Sequence, residues 1–384
     1  MSSAPAPLST PEATPALLET AAAERSAVAD SLVAEPPAAA DSRYLRLQGL
    51  SKRFGATPVF EGIEADIARG EFVTLLGPSG CGKSTLLRAI AGLTAVDAGH
   101  VEVDGETITH LPPQKRGIGM VFQHYALFPN MTVFDNVAFG LRMHKVPSDK
   151  RRQRVDETLS LVELETHAHK HPHQLSGGQR QRVALARSLV LEPRILLMDE
   201  PLSALDARIR QHLREQLRNI QQQLGLTTLF VTHDQEEALM MSDRIFLMGK
   251  GNILQQGDGE ALYTRPASQE VAGFMGAYNC LDTWQASSLL GYEADAAQVV
   301  FRPEALYLQS TAEEINDPTP SSHFGPGCGG VIVQRRLLGN VIRYRVECQG
   351  FSLHVDALNR GARYLLPEGA NVMVHADLEE ARIL

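Results

Sequence analysis

Three short segments carry residue types whose spacing could do phosphate chemistry. The first is Gly77-Pro78-Ser79-Gly80-Cys81-Gly82-Lys83-Ser84, followed by Thr85. Its glycines fall at the G-x-x-x-x-G-K-[ST] spacing, which lets successive backbone N–H groups turn inward and line an anion site. The apolar run Phe72–Leu76 precedes it, and apolar residues at helical spacing follow over 84–93. A phosphate loop needs this strand–loop–helix context, and the helix N-terminus adds partial positive charge. Lys83 would reach the β- and γ-phosphates of a nucleotide, and Ser84 would offer its hydroxyl to Mg²⁺.

The second segment is Ile195-Leu196-Leu197-Met198-Asp199-Glu200. Four apolar residues bury a strand, and Asp199 emerges at its carboxyl end, where ligands bind in open α/β sheets. Asp199 would hold Mg²⁺, and Glu200 is placed to polarise an attacking water. The third segment is Leu175-Ser176-Gly177-Gly178-Gln179. Ser176 can cap the helix behind it, and Gly177 and Gly178 allow close backbone approach to a phosphate. A phosphate loop is common among nucleotide enzymes, whereas LSGGQ between the two nucleotide segments is rare.

With all three segments in place, the chain resembles the ATP-binding subunit of an ABC transporter from about Tyr44 to the C-terminus. The resemblance implies further roles, position by position. Gln123, in Val121-Phe122-Gln123, matches the glutamine that touches Mg²⁺ and links to the membrane partner. Asp206, in Ser203-Ala204-Leu205-Asp206, matches a loop that communicates between two subunits. His233, in Thr232-His233-Asp234, matches the histidine that contacts the γ-phosphate. Phe54 stands where the family keeps an aromatic that stacks on adenine; Phe keeps the ring face without the usual tyrosine hydroxyl. The resemblance also implies two copies meeting head to tail, with ATP held between one phosphate loop and the other LSGGQ. Such a homodimer would drive two transmembrane permease subunits, fed by a solute-binding protein. It would sit at the cytoplasmic face of the inner membrane through those subunits.

Residues 124–140, the run HDQEEA from His233 to Ala238, and Phe301-Arg302-Pro303-Glu304 resemble importers with a C-terminal OB-like (TOBE) regulatory domain. Ferric iron, polyamine, 2-aminoethylphosphonate, sulfate and sugar importers share this plan. The helical stretch leans to polyamine importers, while residues 206–214 (DARIRQHLR) lean to aminoethylphosphonate ones. An alternative is a soluble ABC-type ATPase switch whose C-terminal domain senses a ligand without transport. A DNA-clamping ABC ATPase is excluded, because about ninety residues between Lys83 and Ser176 leave no room for its long coiled coils.

The elements that must position these residues read as an α/β fold with strands alternating with helices, hence a parallel sheet covered on both faces. Apolar runs at 118–123, Ile195–Asp199 and Thr227–Thr232 supply further strands, and 44–54 alternates as another. Helical spacing marks 134–143, 155–164, the helix after Ser176, and Ala207–Leu224. Residues 245–256 read as a hairpin turning at Lys250-Gly251. Short strands at 298–302, 330–336, 340–346, 351–355 and 372–377 suggest a small all-β barrel or sandwich. The expected organisation is a leader over 1–42, the ATPase domain over 43–278 with a helical subdomain over about 125–190, and the β domain over 279–384.

Composition bounds the alternatives. The chain has 384 residues, 36 Lys+Arg against 45 Asp+Glu, and 43% apolar residues. That suits a globular protein of about two domains. The net charge of −9 argues against a nucleic-acid partner held by bulk electrostatics. Residues 1–42 carry six carboxylates, one Arg and no aromatic residue, which predicts a disordered leader with a transient helix near 16–33. Cys81, Cys280, Cys328 and Cys348 form no CxxC pair, which fits a reducing compartment. Cys81 reads as a small residue that fits a tight loop. His167, His169, His171 and His173 read as a solvated helix terminus rather than a metal site, since no Cys or carboxylate completes a set and Pro172 breaks the helix. The basic run Lys150, Arg151, Arg152 and Arg154 reads as a solvated face, and Trp284 as core of the second domain.

Overall fold

The computed structural model describes residues 43–291, 298–310, 323–362 and 365–383. The expected leader over 1–42, with its transient helix, lies outside the described residues. Strands β1 (Leu45–Phe54) and β2 (Thr57–Ile67) pair antiparallel and bury Leu45, Leu47, Leu50, Phe60, Ile63 and Ile67. Strand β3 (Phe72–Leu76), buried at every position, runs into the phosphate loop and α1 (Lys83–Ile90). The chain then returns through β4 (Ala98–Val103) and β5 (Glu106–Thr107) to complete a four-stranded sheet of order β2-β1-β4-β5.

After β6 (Ile118–Val121) come three helices, α2 (Val133–Met143), α3 (Ser148–Leu161) and α4 (Gly177–Leu189). They share one apolar cluster that includes Val137, Leu141, Val155, Leu159, Val183 and Leu185. Thr132 caps α2 by accepting from the Asp135 N–H, as its position before an amphipathic run suits. Next follow β7 (Ile195–Asp199), α5 (Ala207–Leu224), β8 (Thr227–Thr232), α6 (Gln235–Met241), β9 (Arg244–Gly249) and β10 (Asn252–Gly257).

The central sheet has order β10-β9-β3-β8-β7-β6, with every pairing parallel except β10 on β9. Strands β3, β7 and β8 are buried at every position because helices or the β1–β5 sheet cover them on both sides. This parallel arrangement puts the carboxyl ends of β3, β6, β7 and β8 on one edge.

Two short helices, α7 (Gly259–Thr264) and α8 (Gln269–Met275), lead to the C-terminal β region. It begins with β11 (Asn279–Asp282), α9 (Thr283–Leu290), β12 (Gln298–Phe301) and β13 (Leu306–Ser310). It ends with β14 (Cys328–Leu337), β15 (Val341–Cys348), β16 (Phe351–Leu358), β17 (Asn371–Ala376) and β18 (Arg382–Ile383). A five-stranded sheet of order β13-β17-β14-β15-β16 and a three-stranded sheet of order β11-β12-β18 enclose a core that includes Phe301, Tyr344, Val346 and Leu353.

Trp284 corrects one expectation. It is 58% exposed, with only its ring edge against Phe351 at 6.0 Å between centroids. The buried stripe of α9 is carried by Ala286 and Leu289, three apart, and Trp284 points away from that stripe. Among the described residues no helix is long and apolar enough to cross a membrane.

Candidate active site

The phosphate loop is shaped by Gly77, Gly80 and Gly82, all at positive φ. A Cβ on Gly77 would lie 2.2 Å from the Met248 carbonyl oxygen of β9. Gly82, at φ 103°, ends the loop as the N-cap of α1 and brings no side-chain acceptor. The first N–H groups of α1 therefore remain available to an anion. Lys83 is 5% exposed, and its Nζ donates to Gly77 O at 2.7 Å and Pro78 O at 2.9 Å. The ammonium thus lies along the inside of the loop, 3.8 Å from the buried Cys81 Sγ. Ser79, Gly80 and Thr85 complete the loop and the first turn behind it.

Ser84 Oγ donates to Asp199 Oδ1 at 2.6 Å, joining α1 to the end of β7. Both are hard oxygen donors of the kind a magnesium ion takes with phosphate and water. Arg88, one helical turn after Ser84, brings Nη2 within 3.7 Å of Asp199 Oδ2. It is a charged neighbour of Asp199 that motif reading missed; its spacing from Ser84 was the available signal.

The sheet order assembles the second half of the site. Strands β8, β7 and β6 are neighbours in that order, so His233, Glu200 and Gln123 line up at their carboxyl ends with Glu200 in the middle. Gln123 Nε2 donates to Glu200 Oε2 at 3.3 Å. His233 Nδ1 lies 3.5 Å from the same oxygen. Glu200 adopts φ 44°, left-handed backbone that a non-glycine residue holds at a cost of about 1 kcal/mol or more. Its N–H is fixed by Val231 O at 3.1 Å, so the turn is imposed by the neighbouring strand.

The structure thus brings Lys83, Ser84, Gln123, Asp199, Glu200 and His233 to one edge. Other expected site residues lie apart from them. Phe54 ends β1 with its ring 58% exposed and Lys52 Nζ 5.4 Å from the ring centre. Ser176 and Gln179 form a reciprocal cap on α4, and Gln179 Nε2 lies 3.1 Å from His167 Nε2. Gly177 and Gly178 pack on Leu205 and Ile209, each of which would meet an added Cβ at 3.0 Å. Asp206 caps α5 by accepting from the Ile209 N–H at 3.0 Å. Among the described residues no hydrogen bond or ion pair joins Ser176, Gly177, Gly178, Gln179 or Asp206 to the phosphate loop, Asp199 or Glu200.

The alternating histidines lie in two 3₁₀ turns, Glu165–His167 and Pro172–Gln174, and between them, with the His171 and His173 rings stacked at 5.7 Å. Burial and the neighbouring Lys170 and Arg182 push the His167 imidazole below its ordinary range.

Comparison with known proteins joins the site to a family. The ABC transporter family profile matches residues 60–203. The spermidine/putrescine import ATP-binding protein PotA of Salmonella typhimurium is 46% identical over 328 residues, covering 80% of this chain and 85% of that protein. The protein of the same name from Shigella boydii is 44% identical over the same shares. Among solved structures, cbiO1 of Clostridium perfringens, part of an ABC transporter complex, is 33% identical. It aligns with TM-score 0.55 over 58% of this chain and 92% of its own. A dimeric ATP-binding cassette in a post-hydrolysis state bound to ADP and Pi is 34% identical, with TM-score 0.51 over 56% of this chain and 98% of its own. The chain belongs to the ABC transporter family, as an ATP-binding, ATP-hydrolysing subunit of the importer type.

Proposed function

We propose that this chain energises a polyamine importer by hydrolysing ATP at the edge formed by β3, β6, β7 and β8. The convergence of Gln123 and His233 on one oxygen of Glu200 supports hydrolysis, since water held there faces a carboxylate flanked by two orienting groups. Glu200 accepts the proton or orients the water for in-line attack on the γ-phosphate. His233 contacts the γ-phosphate. Lys83 moves from the loop carbonyls to the β- and γ-phosphates, while the N–H groups over 77–85 cradle them. Ser84, Asp199 and Gln123 would hold Mg²⁺, which supplies charge neutralisation between the phosphates when bound. Phe54 offers a free ring face to adenine.

Because the Ser176–Gln179 segment lies apart from the phosphate loop, a second copy supplies it across a head-to-tail dimer, with Asp206 at the boundary. The ATPase part spans 43–278, its helical subdomain about 125–190, and the β region after 279 is its regulatory domain. Two permease subunits and a solute-binding protein complete the importer and hold the chain at the cytoplasmic membrane face. Polyamine is favoured over 2-aminoethylphosphonate, ferric iron and sulfate by the relatives' names. Reconstitution with candidate permeases and binding protein in vesicles tests this. Spermidine or putrescine should raise the ATPase rate and enter at the expense of ATP. Stimulation by another of those solutes, with none by polyamine, would replace the substrate assignment. Turnover indifferent to the permeases would favour the soluble switch.

A further inference from the structure

The loops that carry Glu200 and His233 meet a second time, away from the phosphate loop. Arg210, in the first turn of α5, donates through Nη2 to Leu205 O at 3.0 Å and through Nη1 to Asp234 Oδ2 at 3.3 Å. The two acceptors belong to different loops. Leu205 closes the turns that begin at Glu200: Ser203 Oγ donates to Glu200 O at 2.9 Å, and the Leu205 N–H to Leu202 O at 3.2 Å. Asp234 follows His233 directly.

Both chain neighbours of His233 are fixed in the same web. Asp234 Oδ1 accepts from the Glu236 N–H at 2.9 Å and the Glu237 N–H at 3.3 Å, capping α6. The Asp234 N–H donates to Thr232 Oγ1 at 3.0 Å, and that hydroxyl donates to Glu237 Oε2 at 2.6 Å. Glu237 is buried, and burial raises its carboxyl above the ordinary range despite Arg210 and Arg214 nearby. Arg214 supports the web from the next turn of α5, reaching Glu236 Oε2 at 3.1 Å and Asp234 Oδ2 at 3.6 Å. It makes no hydrogen bond to the segment 200–206 among the described residues. Among the described residues no other side chain outside the reacting group hydrogen-bonds to both loops there.

We propose that Arg210 is a positioning residue for ATP hydrolysis: its fork ties the segment 200–206 to the His233 loop and sets the approach of His233 Nδ1 to Glu200 Oε2. The proposal rests on the roles given to Glu200 and His233 above. A guanidinium suits the task because it is planar and rigid, and serves a carboxylate and a carbonyl at once. A lysine is a point charge that keeps Asp234 company without holding Leu205 O in the same geometry. Misplacement of reacting groups by about 1 Å can cost on the order of 100-fold in rate, so loosening this tie should act on turnover more than on ATP affinity.

The test measures single-turnover and steady-state ATP hydrolysis by the full-length chain for Arg210→Gln, Arg210→Lys, Asp234→Asn, His233→Ala and the double variant Arg210→Gln/His233→Ala, with melting temperature for each. Arg210→Gln should lower kcat about 10- to 100-fold with KM for ATP within about threefold, and Arg210→Lys should fall between it and wild type. Asp234→Asn keeps the shape of the cap and loses the charge facing Arg210, so it should reproduce the kcat loss even if Arg210→Gln folds poorly. The double variant should be no slower than His233→Ala alone, because a residue that acts through His233 has nothing left to position. Wild-type kcat in Arg210→Gln, or a double variant slowed by the full product of both losses, overturns the proposal. Wild-type turnover in His233→Ala instead removes the role of His233 itself.

Discussion

Glu200 shows how one side chain acquires its setting from three strands. Its oxygen Oε2 takes the Gln123 amide and faces His233 because β6 and β8 flank β7. Substitution by glutamine keeps the side chain's shape and removes its capacity to take a proton. Glu200→Gln should therefore retain ATP and lose about 10²- to 10⁴-fold in turnover, the usual range for a missing general base. Nucleotide retention on gel filtration beside an activity assay checks this, and near-normal turnover would remove Glu200 from the chemistry. The residues of this site were unequally legible. Lys83, Ser84, Asp199 and Glu200 announce themselves by spacing, because loop and strand end are each continuous in sequence. Gln123 and His233 came only from family resemblance, since nothing in a linear pattern says that β6 and β8 will be neighbours of β7. Arg88 and Arg210 escaped both routes, as a lone arginine on a helix reads as a solvated charge until its partner is seen.

Helix α1 presents the phosphate loop, and its far end is held by one buried cation. Arg116 is 6% exposed and donates through Nη1 to Ala89 O at 3.0 Å and Ile90 O at 2.8 Å, the last carbonyls of α1. Its Nε donates to Leu111 O at 2.9 Å. A positive charge at a helix C-terminus is favourable, and here it also satisfies Ile90 O and adds a second donor to Ala89 O, which already accepts from the Gly92 N–H at 3.1 Å. Gly92 leaves the room: an added Cβ would lie 2.4 Å from Arg116 Nε. Arg116→Met should cost about 2–4 kcal/mol, because several buried carbonyls lose their donor together. Denaturant unfolding measures this, and a loss under about 0.5 kcal/mol would show that the carbonyls find other partners. Elements were legible where burial is two-sided. Strands β3, β7 and β8 coincide with their apolar runs because both faces are covered. Strand β2 was missed because its register shifts against β1 between Leu50 and Lys52 and again beside it. Those irregularities place Phe60 and Ile63 inward three residues apart, which breaks the period of two. Helix α9 was missed because it is short and its buried stripe is carried by Ala286 and Leu289 alone among the residues whose burial is described.

At the scale of the whole molecule, the ATPase sheet and the C-terminal strands are joined by a polar seam around a cavity of about 570 Å³. Gln235, two residues after His233, donates to Phe274 O at the end of α8, and Tyr278 OH donates to Tyr263 O. Across the seam Tyr263 OH donates to Glu304 Oε1 at 2.7 Å, and Arg302, which lies over the Tyr263 ring, pairs with Glu380 at 2.6 Å. Burial, reinforced by Glu304, pushes both phenols from 10.0 up to about 12. The folded chain therefore holds these protons more tightly than the unfolded chain does. Their contribution to stability is complete below pH 10 and is lost as pH rises from 10 through about 12. Tyr263→Phe removes the Glu304 hydrogen bond, worth about 1–2 kcal/mol, so the variant should melt a few degrees lower at pH 8. With one raised phenol gone, its melting temperature should then fall less steeply than wild type between pH 9 and 12. Melting curves taken across that range read both effects. Parallel decline of the two proteins would show that the Tyr263 proton is held no more tightly in the folded chain, and that the seam draws its strength from Arg302 and its carboxylates instead.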